Sequence, residues 1–325
     1  MKVTRRQFLE SVAAASAGLA GVEALAEKPP DGSRTPEPKE AGREADVTGK
    51  VLAEFLDPDH MASVSRDDAL KSVFEITGTA NIAGRDTRVS AGKAVNVGGG
   101  LFLTAAHVLE GRGLNSVQIA PREETLKHQL GSSSIEVIAS NPKTGVALAR
   151  AADSKWSRAL RDSAAFSLAA KPLESGTPVS RFEISTGMRL VCRGGKCRLM
   201  PAEGVGALGG NSALPAGKGS VEEQGTTIEY NVERVDSISP EGTPVHYRPE
   251  AHGMSTLVAA VEGQNGNPIF KRNKDGSYSF AGVQVLSHRP FKTPLDVEDE
   301  KLRLTTVLYA NSSAVRELVE GVRAR

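Results

Sequence analysis

The chain has 325 residues, 39% hydrophobic and 24% charged, with 40 basic residues against 39 acidic ones. That length can bury a real core, in one large β domain or two small ones. The balanced charge argues against a basic nucleic-acid footprint, and an aromatic content of 4% argues against a stacking platform for single strands.

Residues 1–26 read as a targeting segment. Thr4-Arg5-Arg6-Gln7-Phe8-Leu9-Glu10 matches the twin-arginine export pattern, a weakly apolar run follows from Ser11 to Val22, and Ala24-Leu25-Ala26 offers a small-residue cleavage site. An ordinary N-terminal helix is the rival reading, but the order of charge, apolar run and small residues favours export. Cleavage after Ala26 removes Lys2, Arg5, Arg6, Glu10 and Glu23 and leaves 37 basic and 37 acidic residues. No later run reaches the roughly 18 apolar residues of a membrane span. The expected location is therefore the periplasm or the exterior, with no membrane attachment after signal removal.

Residues 27–49 are rich in proline and charge and are expected to be a disordered linker, because so little apolar surface cannot offset chain entropy. Residues 50–70 suggest a short helical lead-in. Val51-Leu52-Ala53-Glu54-Phe55-Leu56 spells one or two turns stopped before Pro58, and Ser65 is placed to cap a second short helix. From residue 71 onward the texture changes to short apolar or alternating runs broken by glycine, asparagine and serine, which is strand-and-turn spacing for an all-β sandwich or barrel. At the C-terminus Val315, Leu318, Val319 and Val322 follow helical spacing behind Ser312 or Ser313 as cap.

Cys192 and Cys197 flank Arg193-Gly194-Gly195-Lys196, a hairpin turn between apolar arms. In an oxidising compartment a cross-hairpin disulfide is the plain reading, although closing so short a loop contributes only about 2 kcal/mol. A metal pair needs two further ligands, and none stands nearby at a recognised spacing. His246 and His252, six apart, fit no ligand box and read as part of a flexible loop. His60, His128 and His288 stand alone as surface residues, and Trp156 reads as core. No metal and no cofactor is expected.

Two stretches carry chemistry. Leu103-Thr104-Ala105-Ala106-His107 resembles the histidine motif of the trypsin-like serine proteases, and Gly263-Gln264-Asn265-Gly266-Asn267-Pro268 resembles their serine motif with Asn265 at the nucleophile position. Gly145-Val146-Ala147-Leu148-Ala149-Arg150 resembles the aspartate run with Gly145 in place of the acid. Tyr278 to Val283 resembles the hairpin that follows the nucleophile. The resemblance runs from about residue 70 to the C-terminus. It implies an all-β, trypsin-like double β-barrel with a C-terminal α-helix.

The triad needs a hydroxyl nucleophile, an imidazole base and a carboxylate that orients the imidazole. Here His107 is retained, and the other two positions carry Asn265 and Gly145. An asparagine amide is a poor nucleophile, and loss of a triad serine costs about a million-fold in turnover in subtilisin. Asp153 lies eight residues past Gly145 and needs a different strand register to reach the imidazole. Backbone N–H groups of Gly263 and Asn265 keep the pattern of an anion-binding nest. Gln264 replaces the aspartate that animal enzymes use for activation by a new N-terminus.

The resemblance implies an exported, catalytically inactive trypsin-like protein that holds a peptide or protein ligand in the former substrate groove. Ala259 falls on the floor of the specificity pocket and His288 at the groove edge. An alternative reads Gly210-Asn211-Ser212-Ala213-Leu214-Pro215 as a bacterial serine motif, with Ser212 as nucleophile to His107 in an active endopeptidase. A third reading is a structural envelope protein that keeps only the fold.

Overall fold

The computed structural model describes residues 38–324 except 58, 61–62, 83–84, 111–115, 123, 161–165, 185–187, 194–195, 202–219, 229–234, 239–243, 259–264 and 289–303. Residues 43–325 form one body. The expected export segment, the specificity-pocket residue Ala259, Gly263 and Ser212 all lie outside the described residues.

Two closed six-stranded antiparallel barrels make up this body. The first is ordered β1 (Val73–Ile82), β2 (Arg85–Gly98), β3 (Leu101–Ala105), β6 (Val146–Ala151), β5 (Ser133–Asn141) and β4 (Ser116–Ala120). The second is ordered β10 (Ser220–Ile228), β13 (His252–Val258), β16 (Leu304–Asn311), β15 (Tyr278–His288), β14 (Pro268–Arg272) and β7 (Pro178–Ile184). Closure removes the exposed edges that an open sheet of this size would leave. The helix Ser312–Arg323 ends the chain. This is the double barrel with C-terminal helix that the sequence predicts.

Aromatics pack in two groups, in tilted or edge-on contact. Phe74, Phe102 and Trp156 form the first, with ring centroids 5.0–6.1 Å apart. Phe166, Phe182, Phe270 and Phe280 form the second. Such pairs add specificity to the burial itself. The C-terminal helix buries Ala314, Val315, Leu318 and Val319, the predicted face. Its cap is Asn311 rather than Ser312 or Ser313, and the Asn311 Oδ1 accepts from the N–H groups of Ser313 and Ala314 at 3.0 and 3.2 Å.

The helix before the barrels runs Pro38–Leu56, so it begins inside the segment expected to be linker. Its physical reason lies at its far end: Leu52 and Phe55 are fully buried, and Phe55 stacks against Phe280 at 5.9 Å. Tertiary packing of that end stabilises a helix that composition alone disfavours. Ser65 caps the helix Arg66–Lys71 as predicted, its Oγ accepting the Asp68 N–H at 3.1 Å.

Two hairpins stand outside the barrels. β8 (Met188–Arg193) pairs β9 (Lys196–Pro201) with Cys192 directly opposite Cys197. β11 (Val235–Ile238) pairs β12 (Pro244–Tyr247), followed by a 3-10 turn, Pro249–Ala251. The second hairpin corrects the flexible-loop reading of Val245 to His252. His252 opens a barrel strand and is 5% exposed, with ring nitrogens 2.7 Å from the Arg248 carbonyl and 3.0 Å from that of Thr144.

Candidate functional site

His107 and Asn265 meet where the two barrels face each other. The imidazole rides on a one-turn helix, Ala106–Leu109, that leaves the end of β3 in the first barrel. Asn265 sits in the turn that enters β14 in the second. Asn265 Nδ2 lies 2.9 Å from His107 Nε2. The amide thus occupies the hydrogen-bonding place that a nucleophilic hydroxyl fills in an active triad.

The turn is fastened across the barrel boundary. The Lys93 N–H donates to the Asn265 carbonyl at 2.8 Å, and the Gly266 N–H donates to the Gln284 carbonyl at 2.8 Å. Gly266 has φ +88°, and a Cβ there would stand 1.9 Å from the Lys93 carbonyl oxygen and 2.3 Å from Thr104 Oγ1. Only glycine fits that approach. Thr104 is held there in turn, donating to the same Lys93 carbonyl at 2.6 Å.

A chain of side chains sets the direction of the hydrogen bonds that lead to His107 Nε2. Arg181 is fully buried, and a guanidinium has donors only. Its Nη1 donates to Gln284 Oε1 at 2.5 Å. Gln284 therefore turns Nε2 toward Asn265 Oδ1, at 3.4 Å. Asn265 then presents Nδ2 to His107, so Nε2 of the imidazole accepts. A neutral His107 in this arrangement carries its proton on Nδ1, the tautomer an active triad uses. Neither Arg181 nor Gln284 figures in the sequence reading. Their signal was present, since each is a long polar side chain beside large apolar neighbours, Phe182 in one strand and Val283 and Val285 in the other.

Gly145, read from the sequence as the aspartate position, is closed off by a ring. Gly145 has φ +69°, and a Cβ there would lie 2.8 Å from Tyr247 Cε1 and 3.0 Å from its Cζ. The Tyr247 ring, 6% exposed, fills the space. Asp153 is employed elsewhere: its carboxylate caps the helix Ser154–Ala159 by accepting the Lys155 N–H at 2.9 Å and pairs with the Lys155 ammonium at 3.1 Å. The Lys155 backbone bond and the adjacent ammonium hold its pKa below the usual carboxylate value.

The remaining site predictions divide. Gly263 of the nest and Ser212 of the alternative motif fall outside the described residues. His288 closes β15 opposite Thr306. His128 is exposed, His60 is half-buried, and Trp156 is fully buried core. Among the described residues no group of three or more His, Cys, Asp or Glu side chains is arranged to hold a metal ion. Among the same residues no helix is long and apolar enough to cross a membrane.

The arrangement has an imidazole facing an amide, which is joined to the Gln284–Arg181 chain. It offers a hydrogen-bonding surface at the barrel junction.

No family model and no curated protein matches the chain. Among solved structures it is similar to the active form of the Rv3671c protease from M. tuberculosis, at 15% identity and a TM-score of 0.45, over 93% of this chain and 94% of that one. It is also similar to the MamO protease domain from Magnetospirillum magneticum in its apo form, at 11% identity and a TM-score of 0.44, over 77% of this chain and 96% of that one.

Proposed function

We propose that this protein is an exported pseudoprotease of trypsin-like fold, which binds a peptide or protein ligand along the former substrate groove without cutting it. One observation carries the reading: the Asn265 amide donates to the His107 Nε2, so the base is engaged by a group that cannot attack a carbonyl. The Gly145 vacancy, filled by Tyr247, supports it independently. An extended ligand needs no triad to add as a strand beside β15, with main-chain hydrogen bonds supplying affinity and His288 at the strand end contributing contact.

Export through the twin-arginine pathway and cleavage after Ala26 would place the mature chain in the periplasm or outside. There the opposition of Cys192 and Cys197 in the β8–β9 register suits a disulfide across the hairpin. Mass spectrometry of the exported protein, with and without reductant, tests both features, since a mature start at Glu27 and a two-hydrogen deficit are expected together.

The binding claim is tested by fluorescence anisotropy of the mature chain against a panel of extended peptides, with chromatography of the same mixtures. The reading predicts saturable binding, weakened by His288→Ala, and intact peptides after prolonged incubation. Cleaved peptides, or binding to none of the panel, would contradict it.

A further inference from the structure

Among the described residues, the second barrel has a pocket at one end, where β10 and β16 finish, β13 begins and residues 172–175 approach β7. It shares no residue with the His107–Asn265 pair. We propose that this pocket binds a neutral, single-ring ligand carrying one hydroxyl or carbonyl oxygen, and that the Tyr309 hydroxyl holds that oxygen.

Size comes first. The cavity measures about 200 Å³. An apolar cavity of about 150 Å³ takes up benzene, whereas a drug-sized molecule needs roughly 300 Å³ or more. One ring with one small substituent therefore suits the space. Pro172, Leu173, Ile228 and Met254 supply apolar walls. Gly253 makes room for the phenol of Tyr309, since a Cβ there would stand 2.4 Å from both its Cζ and its hydroxyl oxygen.

The polar groups decide the chemistry. The Thr227 hydroxyl donates to the Glu174 carbonyl, and both ring nitrogens of His252 meet backbone carbonyls. Asn311 uses Oδ1 for its helix cap and Nδ2 for the Glu250 carbonyl at 3.0 Å. Ser175 is exposed to water. Tyr309 differs from all of these. It is 1% exposed, yet its hydroxyl makes no hydrogen bond among the described residues. Burial alone raises its pKa above the ordinary phenol value, with no hydrogen bond contributing. A hydroxyl kept from water without a partner is costly, and an oxygen on a ligand removes that cost. No lining side chain is charged, because burial lowers the pKa of His252 and keeps its ring neutral at pH 7. A carboxylate or an ammonium would lose its water here without gaining a counter-ion, so the ligand is neutral. Peptide binding along β15 plays no part in this inference.

The test is titration of the 15N-labelled mature chain, without peptide, with p-cresol, read from the amide resonances of Ile228, Gly253 and Met254. Saturable shifts are expected, with a dissociation constant of about 1 mM for a molecule of that size. Toluene keeps the ring and lacks the oxygen, and is expected to shift the same amides about fivefold less per unit concentration. Benzoate is expected to leave them in place. Tyr309→Phe removes only the hydroxyl. It is expected to hold the melting temperature within about 2–3 °C of wild type, because that hydroxyl bonds nothing in the fold. It is also expected to weaken p-cresol about tenfold while the response to toluene is unchanged. Leu173→Trp, which fills the cavity from a half-buried position outside the strands, is expected to abolish the response to both. No saturable shift with p-cresol, an equal response to toluene or benzoate, an affinity for p-cresol unchanged in Tyr309→Phe or in Leu173→Trp, or a marked fall in the melting temperature of Tyr309→Phe would overturn the proposal. Those outcomes would leave peptide binding standing, and failure to bind peptide would leave the p-cresol result intact.

Discussion

The two positions proposed as vacated triad positions differ in what fills them. At residue 265 a polar side chain stands within hydrogen-bond distance of His107, at 2.9 Å. At residue 145 there is no side chain, and Tyr247, from a hairpin far along the chain, packs against the glycine. The first position differs from the motif it resembles in chemistry alone. The second is closed by the tyrosine ring, which is held by contacts from the β5–β6 turn, the hairpin and the C-terminal helix. A single substitution can reverse the first and not the second.

The scaffold common to both positions is expected to be the least tolerant. Gly266→Ala drives a Cβ onto the Lys93 carbonyl at a positive φ and is expected to cost about 4 kcal/mol or more, lowering the melting temperature by roughly 10 °C. A melt within 2–3 °C of wild type, on the scale of an ordinary surface substitution, would mean the barrel junction is looser than described.

Next comes the locked position. Gly145→Asp is expected to destabilise by about 2–4 kcal/mol, because the new side chain meets the Tyr247 ring. In Gly145→Asp/Tyr247→Ala the two losses are expected to sum to about 1–3 kcal/mol less than the separate values, the mark of residues competing for one space. Strict additivity in denaturant unfolding would break the comparison.

A smaller effect follows from His252, which braces Tyr247. Burial holds its imidazole below the ordinary histidine range, even though the carbonyls of Arg248 and Thr144 favour the charged ring. A depressed folded pKa means that the unfolded chain binds the proton more readily. The stability it lends is full above about pH 6.5 and is lost as pH falls below that value. The melting temperature is expected to drop between pH 7.5 and 5.5, and His252→Gln is expected to flatten that drop. An unchanged slope in the variant would remove His252 from the account.

The smallest stability change is expected at the reversible position. Asn265→Ser leaves the turn and the His107 contact in place and is expected to alter stability by less than about 1 kcal/mol. It is also expected to gain slow labelling by a fluorophosphonate, abolished in Asn265→Ser/His107→Ala. The rate stays low because the acid is missing, a loss worth about ten-thousand-fold in trypsin. No labelling at all would show that His107 is not held in a productive orientation.

Much of this was legible in the sequence. The strand texture, the turn that carries His107 and the glycine turns at residues 145 and 266 are all local patterns, and local patterns survive reading one residue after another. The helix face of Val315, Leu318 and Val319 was legible for the same reason. What was not legible depends on contacts distant in sequence. Tyr247 sits among residues without strand alternation, so its stretch reads as loop until Gly145 is placed beside it. The start of the first helix at Pro38 was hidden because its stability comes from Leu52 and Phe55 docking on the barrels, not from its own composition. Arg181 and Gln284 were visible only as long polar side chains beside large apolar neighbours, and the direction they impose on the hydrogen bonds appears when the strands are paired.

The most direct test of the central claim is fluorophosphonate labelling of the purified mature chain beside an active trypsin-like enzyme, since the probe bonds only to an activated serine. The account predicts no label on this protein next to a strongly labelled control. Labelling that disappears in both Ser212→Ala and His107→Ala would contradict it, and would make Ser212 the nucleophile of an active protease.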